Sequence, residues 1–262
     1  LAWGKPLIPV NHMAGHLYSV LINPKATPWG SKGVALKFPL LGLLVSGGHT
    51  ELVLVRDWLK HELIGATRDD AVGEAFDKVA RLLGLPYPGG PALAKLISDS
   101  KAISYQLSAN SSPLPRPMIS SPDFDFSFSG LKTAVLYRVN DLKKQNLFDE
   151  KARLELATDF QHAVIDGLLA KTLKAIIKYQ PKSLIIAGGV SANAELRRQF
   201  ASAIKKLKPA VKLLIPPLKL STDNATMIAL AGYLRFNQGT ALKPGTFKAA
   251  PLIRAQGNLA LS

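Results

Sequence analysis

Short apolar runs alternate with longer helical patterns along this chain. Residues 40–45 form a continuous apolar run, and residues 51–55 alternate between polar and apolar after a turn that contains two glycines. Two such segments joined by a glycine turn predict a β-hairpin. The apolar run at 183–187 predicts a buried strand, and the run at 211–215 predicts another strand. The segment 123–128, where Asp or Ser alternates with Phe, predicts a half-buried strand. Strands interleaved with helices indicate an α/β protein.

The helical patterns lie before, between and after these strands. Apolar residues recur at three- and four-residue spacing over six segments that we predict as helices, at 69–83, 92–98, 130–144, 150–178, 192–207 and 225–236. In the first of them, Asp70, Glu74 and Asp77 are expected to share the polar face. Residues 99–122 are rich in Ser and Pro and predict a surface loop.

Two histidines, His12 and His16, stand four residues apart in Asn-His-Met-Ala-Gly-His. Helix positions i and i+4 lie one above the other, so both imidazoles can reach one metal ion, although such a pair is equally compatible with a solvated or core position. The zinc-protease motif His-Glu-x-x-His needs a glutamate where Met13 stands. Asp223 could complete a two-histidine, one-carboxylate set suited to iron or zinc, or serve as the N-cap of the following helix.

Two glycine turns offer backbone N–H groups that could cradle a phosphate. Ser-Gly-Gly-His-Thr at 46–50 lies inside the predicted hairpin, and Gly188-Gly189 lies between a strand and a helix. Each is equally compatible with an ordinary tight turn, and neither matches the G-x-G-x-x-G dinucleotide fingerprint. Asp77 could hold a ribose hydroxyl or lie on a solvated helix face. His49 could orient a ligand or hydrogen-bond the turn, and we do not predict it as a metal ligand.

Composition narrows the class of protein and its partners. The 262 residues are 47% hydrophobic, which excludes wholesale disorder, and the absence of cysteine excludes disulfides and thiolate metal sites. No apolar run approaches the ~20 residues of a membrane helix, so we expect no membrane association and a cytoplasmic location. The formal charge is +15, which favours a polyanionic partner or a merely basic solvated surface. Basic residues spread along the helices from Lys171 to Lys208 favour phosphate contacts.

Seven motifs follow one another along the chain: Asn-His-Met-x-Gly-His, Leu-Leu-Val-Ser-Gly-Gly-His-Thr, Asp-Asp-Ala-x-Gly-Glu-Ala-Phe-Asp-Lys, Tyr-Pro-Gly-Gly-Pro, Phe-Ser-Phe-Ser-Gly-Leu-Lys-Thr, Gly-Gly-Val-Ser-Ala-Asn and Thr-Asp-Asn-Ala. In this order they closely resemble the universal tRNA threonylcarbamoyltransferase family, formerly called O-sialoglycoprotein endopeptidase. The resemblance runs from about residue 3 to residue 236. It implies an α/β fold of actin-like, ribonuclease H-like ATPase lobes, with mixed sheets flanked by helices.

The resemblance also implies a site and a reaction. The metal ligands of the family match His12, His16 and Asp223. Its nucleotide or adenylate ligand is bound at positions that match Leu44, Val45, Ser46, Gly47, Gly48, Asp77, Gly90 and Asn193. The implied reaction transfers the threonylcarbamoyl group from threonylcarbamoyl-adenylate to N6 of the adenine adjacent to the anticodon in tRNA. The implied cofactor is one divalent metal, iron or zinc, with ATP or threonylcarbamoyl-adenylate as the nucleotide ligand.

The implied partners are tRNA and the other subunits of the threonylcarbamoyladenosine-forming complex. In bacteria these subunits are a paralogous protein with the ATPase fold and a small ATPase. Two other classes of function stay open from the residues. A non-catalytic assembly subunit of the ATPase superfamily would keep the fold and lack the metal triad. A metallopeptidase would need the glutamate that Met13 replaces.

The chain begins inside the first lobe of the family pattern, and this sets the expected domains. We expect 1–38 to be a remnant of an incomplete first lobe, 39–220 to be the second lobe with the nucleotide site, and 221–262 to carry the metal aspartate, a helix and a returning segment. A phosphate clamp with loops from only one lobe should bind more weakly, so impaired transfer is expected. Exposed apolar residues around Leu7 make a dimer possible.

Overall fold

The structure is a computed structural model that describes residues 7–22, 36–99 and 113–239. The α-helices are α1 (His12–Tyr18), α2 (Val72–Leu82), α3 (Gly89–Asp99), α4 (Ser129–Lys144), α5 (Glu150–Tyr179), α6 (Ala194–Lys205) and α7 (Ala225–Asn237). The strands are β1 (Leu40–Val45), β2 (Thr50–Asp57), β3 (Lys60–Ala66), β4 (Ser183–Ala187) and β5 (Lys212–Leu214). Short 3₁₀ helices lie at Ser19–Ile22, Gly189–Ala192 and Leu218–Leu220.

The five strands form one mixed sheet in the order β3-β2-β1-β4-β5. β1 and β2 form the predicted hairpin, antiparallel from Leu40 opposite Val55 to Val45 opposite Thr50. β4 runs parallel to β1 on its other side, and β5 runs parallel to β4. β1 and β4 therefore end at the same edge of the sheet, and the glycine turns that follow them lie together there. The predicted α/β class, with a mixed sheet flanked by helices, is confirmed.

The central strand β1 is covered on both faces. Leu41, Leu43 and Val45 pack into a core built with α2, α4, α5 and α6, whereas Leu40 and Leu44 pack into a second core with α1. Successive side chains of a strand point to opposite faces, so odd and even positions serve different cores. Burial on both faces is the reason why β1 has a continuous apolar sequence rather than an alternating one.

Helix α1 lies very close to the sheet. A Cβ at Gly42 would lie 2.7 Å from Cδ1 of Leu17, so the glycine in β1 is what allows the helix to approach. On the other side of α1, a Cβ at Gly15 would lie 3.2 Å from Cγ of Met227 in α7. Packing between β1 and α7 therefore fixes the position of α1 and of the side chains that it carries.

The longest helix, α5, shows how local sequence sets its ends. The side chain of Asp149 accepts a hydrogen bond from the N–H of Ala152 at 2.7 Å, which caps the first turn, and Gln180 ends the helix in the left-handed conformation (φ 46°). Its apolar positions are interrupted by charged residues throughout. Neither α5 nor any other helix in the described ranges is long and apolar enough to cross a membrane.

The segment 123–128 is not the strand that its alternation predicts. It forms one isolated bridge, between Phe126 and Thr67, and no ladder. All three of its phenylalanines are buried, and the side chain of Asp125 accepts a hydrogen bond from the N–H of Ala66 at 3.0 Å. Phe126 also forms two backbone hydrogen bonds, to the carbonyl of Ala66 and from the N–H of Arg68, both at 3.0 Å. The segment is therefore held at the end of β3 by one bridge and one carboxylate, without a ladder of its own.

The hydrophobic pattern also predicts the start of α2 at the wrong residue. The helix begins at Val72 rather than at residue 69, because Asp69 binds elsewhere: its Oδ1 accepts hydrogen bonds from the N–H groups of Phe128 and Ser129 at the start of α4. Asp70 likewise precedes the helix, so it does not lie on the polar face of α2. Correspondingly, the helix predicted at 192–207 is divided into the 3₁₀ turn Gly189–Ala192 and α6.

One strand, β3, has no counterpart in the predictions. It is an edge strand, and its polar residues Lys60 and Glu62 are exposed, so the apolar pattern is weak there. Some predicted segments lie partly outside the described residues. These are 100–112 of the predicted loop and, of the predicted domains, 1–6, 23–35 and 240–262.

Candidate metal centre and phosphate-binding turns

Helix α1 carries the two histidines on one side. It begins after Asn11, whose Oδ1 accepts hydrogen bonds from the N–H groups of Met13 at 2.8 Å and Ala14 at 3.1 Å. This cap fixes the first turn, so His12 and His16 lie one turn apart. Their rings meet edge to face, with centroids 4.9 Å apart.

Asp223 joins the two histidines from the far end of the chain. Its Oδ1 lies 3.2 Å from Nε2 of His12 and 3.0 Å from Nε2 of His16. One ligand atom from each of the three residues lies within 4.8 Å of the other two. Ligands ~2.1 Å from a tetrahedral zinc are about 3.4 Å apart, so the three atoms fit around one ion. The structure therefore brings together the three side chains that the sequence analysis singles out as metal ligands.

The surroundings of His16 are unusual for a structural histidine. Its side chain is 1% exposed, yet neither ring nitrogen makes a hydrogen bond of acceptable geometry to the described part of the chain, although Asp223 is close. Burial lowers the pKa of His16, the nearby His12 lowers it further, and Asp223 opposes both effects. A neutral imidazole with an unshared lone pair is the form that binds a divalent metal. The residues present therefore fit a metal ion.

Asp223 is not the N-cap of α7. That position belongs to Asn224, whose Oδ1 accepts a hydrogen bond from the N–H of Met227 at 2.9 Å. The carboxylate of Asp223 is thereby free to point at the histidines, and its side chain is 76% exposed. The capping alternative for Asp223 is wrong, because the neighbouring asparagine already satisfies the first turn of the helix.

Arg197, which the sequence analysis places on a helix face, points inwards and holds the segment that leads to Asp223. Its guanidinium donates to the carbonyl oxygens of Ser191 (2.6 Å) and Pro216 (3.0 Å) and to Oγ of Ser221 (3.1 Å). Burial lowers the pKa of Arg197. One side chain thus ties the turn after β4 to the chain two residues before Asp223.

The turn after β1 is closed by its own residues. The N–H of Ser46 donates to the carbonyl of His49 at 2.9 Å, and Oγ of Ser46 accepts from the N–H of His49 at 3.0 Å. Gly47 and Gly48 are exposed, and a Cβ at either would meet nothing within 4 Å. Leu44 and Val45 precede the turn as buried strand residues. The turn is therefore both a regular hairpin connection and an open surface of backbone N–H groups.

The turn after β4 lies directly against the end of β1. Gly188 adopts φ 95°, and a Cβ there would collide with the carbonyl of Val45. Gly189 has nothing within 4 Å of its Cβ position. This close approach of backbones needs glycine at 188, and it sets the two glycine turns side by side.

The start of α2 reaches the same place. The N–H of Gly73 donates to the carbonyl of Ser46 at 3.1 Å, and the N–H of Val72 donates to Oγ1 of Thr50 at 2.8 Å. Thr50 is buried and supplies from β2 the capping oxygen that Ala71, at the N-cap of α2, lacks. No local pattern indicates this role of Thr50, since its partner lies on another element.

His49 belongs to the hairpin turn and is affected by the charge of His12 in the metal-type cluster. Its backbone, not its ring, holds the turn, and its buried Nε2 has no hydrogen-bond partner among the described residues. Burial lowers the pKa of His49, and the proximity of His12 lowers it further. The electrostatic effect of His12 on His49 indicates that the turn and the cluster share one neighbourhood.

Asp77 and Gly90 lie where α2 meets α3. Oδ1 of Asp77 accepts a hydrogen bond from the N–H of Gly89 at 2.7 Å, which fixes the first turn of α3. Asp77 is half-buried, so it does not lie on a fully solvated face. A Cβ at Gly90 would meet nothing within 4 Å, so the surface beside it is open.

Both polar atoms of the Asn193 side-chain amide form hydrogen bonds. Oδ1 caps α6 by accepting from the N–H of Leu196 at 3.0 Å, and Nδ2 donates to Oε1 of Gln161 at 2.9 Å. Its side chain is therefore fixed in place at the start of α6, close to the turn after β4.

Met13 is fully buried in the core beneath α1. A metallopeptidase of the His-Glu-x-x-His type would need a water-activating carboxylate at this position, facing the metal. The buried thioether cannot supply one, and the geometry gives no support to a peptidase.

Known proteins are similar to this chain over most of its length. The family described as tRNA N6-adenosine threonylcarbamoyltransferase matches residues 1–230. Proteins named tRNA N6-adenosine threonylcarbamoyltransferase are similar to the chain in Geobacillus kaustophilus (44% identity over 238 residues), Thermosipho africanus (44% over 254) and Bordetella avium (45% over 244). These matches cover 91%, 97% and 92% of the chain. The chain spans 64%, 70% and 65% of the length of these relatives.

Proposed function

Because the chain belongs to the tRNA N6-adenosine threonylcarbamoyltransferase family, we propose that it carries the metal-binding and adenylate-binding parts of a tRNA threonylcarbamoyltransferase. The reaction would transfer the threonylcarbamoyl group from threonylcarbamoyl-adenylate to N6 of the adenine adjacent to the anticodon. The observation that carries the proposal is the convergence of His12, His16 and Asp223 near two open glycine turns. A non-catalytic assembly subunit would have no use for three convergent ligands.

The transfer needs little covalent help from the protein. The exocyclic amine of adenine attacks the carbamoyl carbonyl, a C–N bond forms, and the C–O bond to the adenylate phosphate breaks. AMP leaves with the bonding electrons, and the proton of the amine is lost to water. A protein accelerates such a step by orienting the two reactants and stabilising the phosphate that departs.

The residues of this chain suit those tasks. Backbone N–H groups of Gly47, Gly48 and Gly189 are available to donate to the adenylate phosphate, because no side chain covers them. Asp77, fixed through Oδ1, keeps its second carboxylate oxygen for a ribose hydroxyl, and the adenosine would lie between it and Asn193.

His12, His16 and Asp223 would hold one divalent metal, iron or zinc. Bound there, the ion supplies positive charge that polarises the carbonyl or neutralises the leaving phosphate. His16 contributes a buried neutral imidazole, and Asp223 reduces the net charge of the site. ATP is the alternative nucleotide ligand for the same turns.

The partners that we propose follow from the family. They are tRNA, a paralogous subunit with the ATPase fold and a small ATPase. Leu7 is 47% exposed and offers apolar surface to such a subunit or to a second copy of the chain.

The deciding experiment removes one ligand. We expect His16→Ala to lower the affinity for zinc by at least about 100-fold, since loss of a ligand exceeds the 10–100-fold cost of losing its supporting contacts. His162→Ala, on the half-buried surface of α5, is the matched control and should bind the metal like the wild type. Metal is measured by titration calorimetry, and transfer is measured by modification of unmodified tRNA with threonylcarbamoyl-adenylate. Unchanged metal binding in His16→Ala would contradict the assignment.

A further inference from the structure

The segment from Leu196 to Thr222 contains no acidic residue and seven basic ones. Two of the seven are occupied: Arg197 points inwards, and Arg198 pairs with Glu195 at 2.6 Å. The remaining five are exposed lysines that form no ion pair with any other described residue, and we call them the lysine edge: Lys205, Lys206, Lys208, Lys212 and Lys219. Uncompensated charge of one sign attracts a partner of the opposite sign.

Other lysines of the structure contrast with this edge. Lys78 and Lys132 both bind Asp70, at 2.7 and 2.8 Å, and Lys171 binds Asp123 at 3.2 Å. These ammonium groups are compensated within the chain. Within the described ranges, what distinguishes the lysine edge is that five lysines without an ion pair follow one another in a segment without any acidic residue.

The lysine edge begins close to the candidate site in sequence. Lys219 precedes Asp223 by four residues, in the short 3₁₀ helix after β5. α6 begins at Asn193 beside the turn after β4 and runs for 12 residues, or about 18 Å, before it ends at Lys205. β5 is the edge strand on the opposite side of the sheet from β3, and its first residue, Lys212, lies at the end of the sheet opposite the glycine turns. The lysines thus extend along one side of the sheet, away from the site.

We propose that the lysine edge binds the phosphate backbone of the tRNA stem that leads away from the modified adenine. The inference rests on the proposed function, which places that adenine at the metal-type cluster. An RNA stem with one end at the metal-type cluster presents regularly spaced phosphates along the side of the domain. Flexible lysines on an exposed edge can bind those phosphates without reading the bases.

The test compares two triple variants of equal charge. One replaces Lys206, Lys208 and Lys212 by Gln, and the other replaces Lys95, Lys144 and Lys151, which are exposed on α3, α4 and α5 and also form no ion pair within the described ranges. Binding of unmodified tRNA is measured over a range of salt concentrations. We expect the edge variant to bind tRNA on the order of tenfold more weakly near 0.15 M salt. The slope of its log affinity against log salt concentration should correspond to about two to three fewer phosphate contacts. The control variant should bind like the wild type.

The outcomes separate this inference from the proposed function. Equal affinity of both variants, or an equal loss in both, would overturn the lysine edge. A DNA duplex of matched length that binds as tightly, with the same sensitivity to the edge variant, would overturn the assignment to tRNA. If the wild type binds tRNA through the edge but His16→Ala binds zinc like the wild type, the proposed metal site fails and the edge stands. Calorimetry with ATP on each variant checks that the fold and the nucleotide site are intact.

Discussion

Two buried polar clusters in this molecule are built in opposite ways. Around Lys171, which is 2% exposed, Nζ donates to the backbone carbonyls of Ser121 and Asp123 and to both of their side chains. Around His16, which is 1% exposed, two ring nitrogens lack a hydrogen bond within the described part of the chain. The first cluster is satisfied by hydrogen bonds within the protein, whereas in the second the nearest partner is Asp223, 3.0 Å from Nε2 of His16.

The difference has an energetic meaning. A buried polar group without a partner costs roughly 1–3 kcal/mol, so a fold retains one where it serves another purpose. The Lys171 cluster organises the turn at 121–125, and Ser121 and Lys171 hold the pKa of Asp123 down to about 2. The comparison teaches that the satisfied cluster stabilises the fold, whereas the unsatisfied one marks the candidate site. The predictions below test that distinction.

The largest effect is expected for Lys171→Met. The substitution keeps the length of the side chain but removes a buried ammonium group and its ion pair with Asp123, while Lys174 still donates to the carbonyls of Ser121 and Asp123. We expect the free energy of unfolding to fall by about 3 kcal/mol. Zinc affinity should be unchanged, because the cluster does not contact the histidines. Urea denaturation measures the first quantity and calorimetry the second. A stable variant with weakened metal binding would reverse the roles that we give to the two clusters.

A smaller effect is expected at a third polar contact, between Tyr18 and His61. The Tyr18 hydroxyl accepts from the N–H of Leu59 at 3.0 Å and donates to Nε2 of His61 at 2.9 Å. Burial and, to a smaller extent, the positive charge of Arg235 lower the pKa of His61 to about 4. Burial raises the pKa of Tyr18 to about 12. Because His61 stays neutral in the folded protein, it adds fully to the free energy of unfolding above pH 6.5. That contribution is lost as the pH falls towards 4.

We expect that loss to be about 2 kcal/mol between pH 6.5 and 4. It is measured as the difference in unfolding free energy between the wild type and His61→Gln, which can still accept from Tyr18 but does not titrate. The pKa values of His16 and His49 are lowered in the same direction, so both proteins retain some pH dependence. Asp123 titrates near pH 2, outside this window. Parallel pH profiles for the two proteins would contradict the role of His61.

The smallest effect is expected for Asp77→Asn. The amide oxygen can still accept from Gly89, so the fold should be unaffected, while the charge that would favour a ribose hydroxyl is lost. We expect the affinity for ATP to fall by about 1 kcal/mol, close to fivefold, as measured by calorimetry. Asp77→Ala should cost both affinity and stability, since it also removes the acceptor of α3. Equal ATP affinity in all three proteins would remove Asp77 from the nucleotide site.

Local pattern was sufficient for much of the fold. The hairpin, β4, α4, α5 and α7 follow from spacing that each segment carries within itself, and so does the placement of His12 and His16 on one side of α1. Both glycine turns were predictable for the same reason, because they directly follow apolar strands.

Where the pattern failed, a side chain from elsewhere decided the outcome. The segment 123–128 meets the end of β3 through one backbone bridge at Phe126 and the carboxylate of Asp125, and it forms no ladder. Asp69 caps α4 instead of opening α2. Lys171 is compensated by the turn at 121–123, although its spacing predicts an exposed helix face. None of these partners is visible within a window of neighbouring residues.

The sequence by itself determined the class of fold, the family, the histidine pair and the excess of basic charge. Only the tertiary structure decided that Asp223 approaches the histidines and that Arg197 points inwards. It also decided that the lysine edge forms no ion pair with another described residue. The physical reason is range. Periodicity and capping act over a few residues, whereas a metal site or a charged surface depends on which distant segments the sheet brings together.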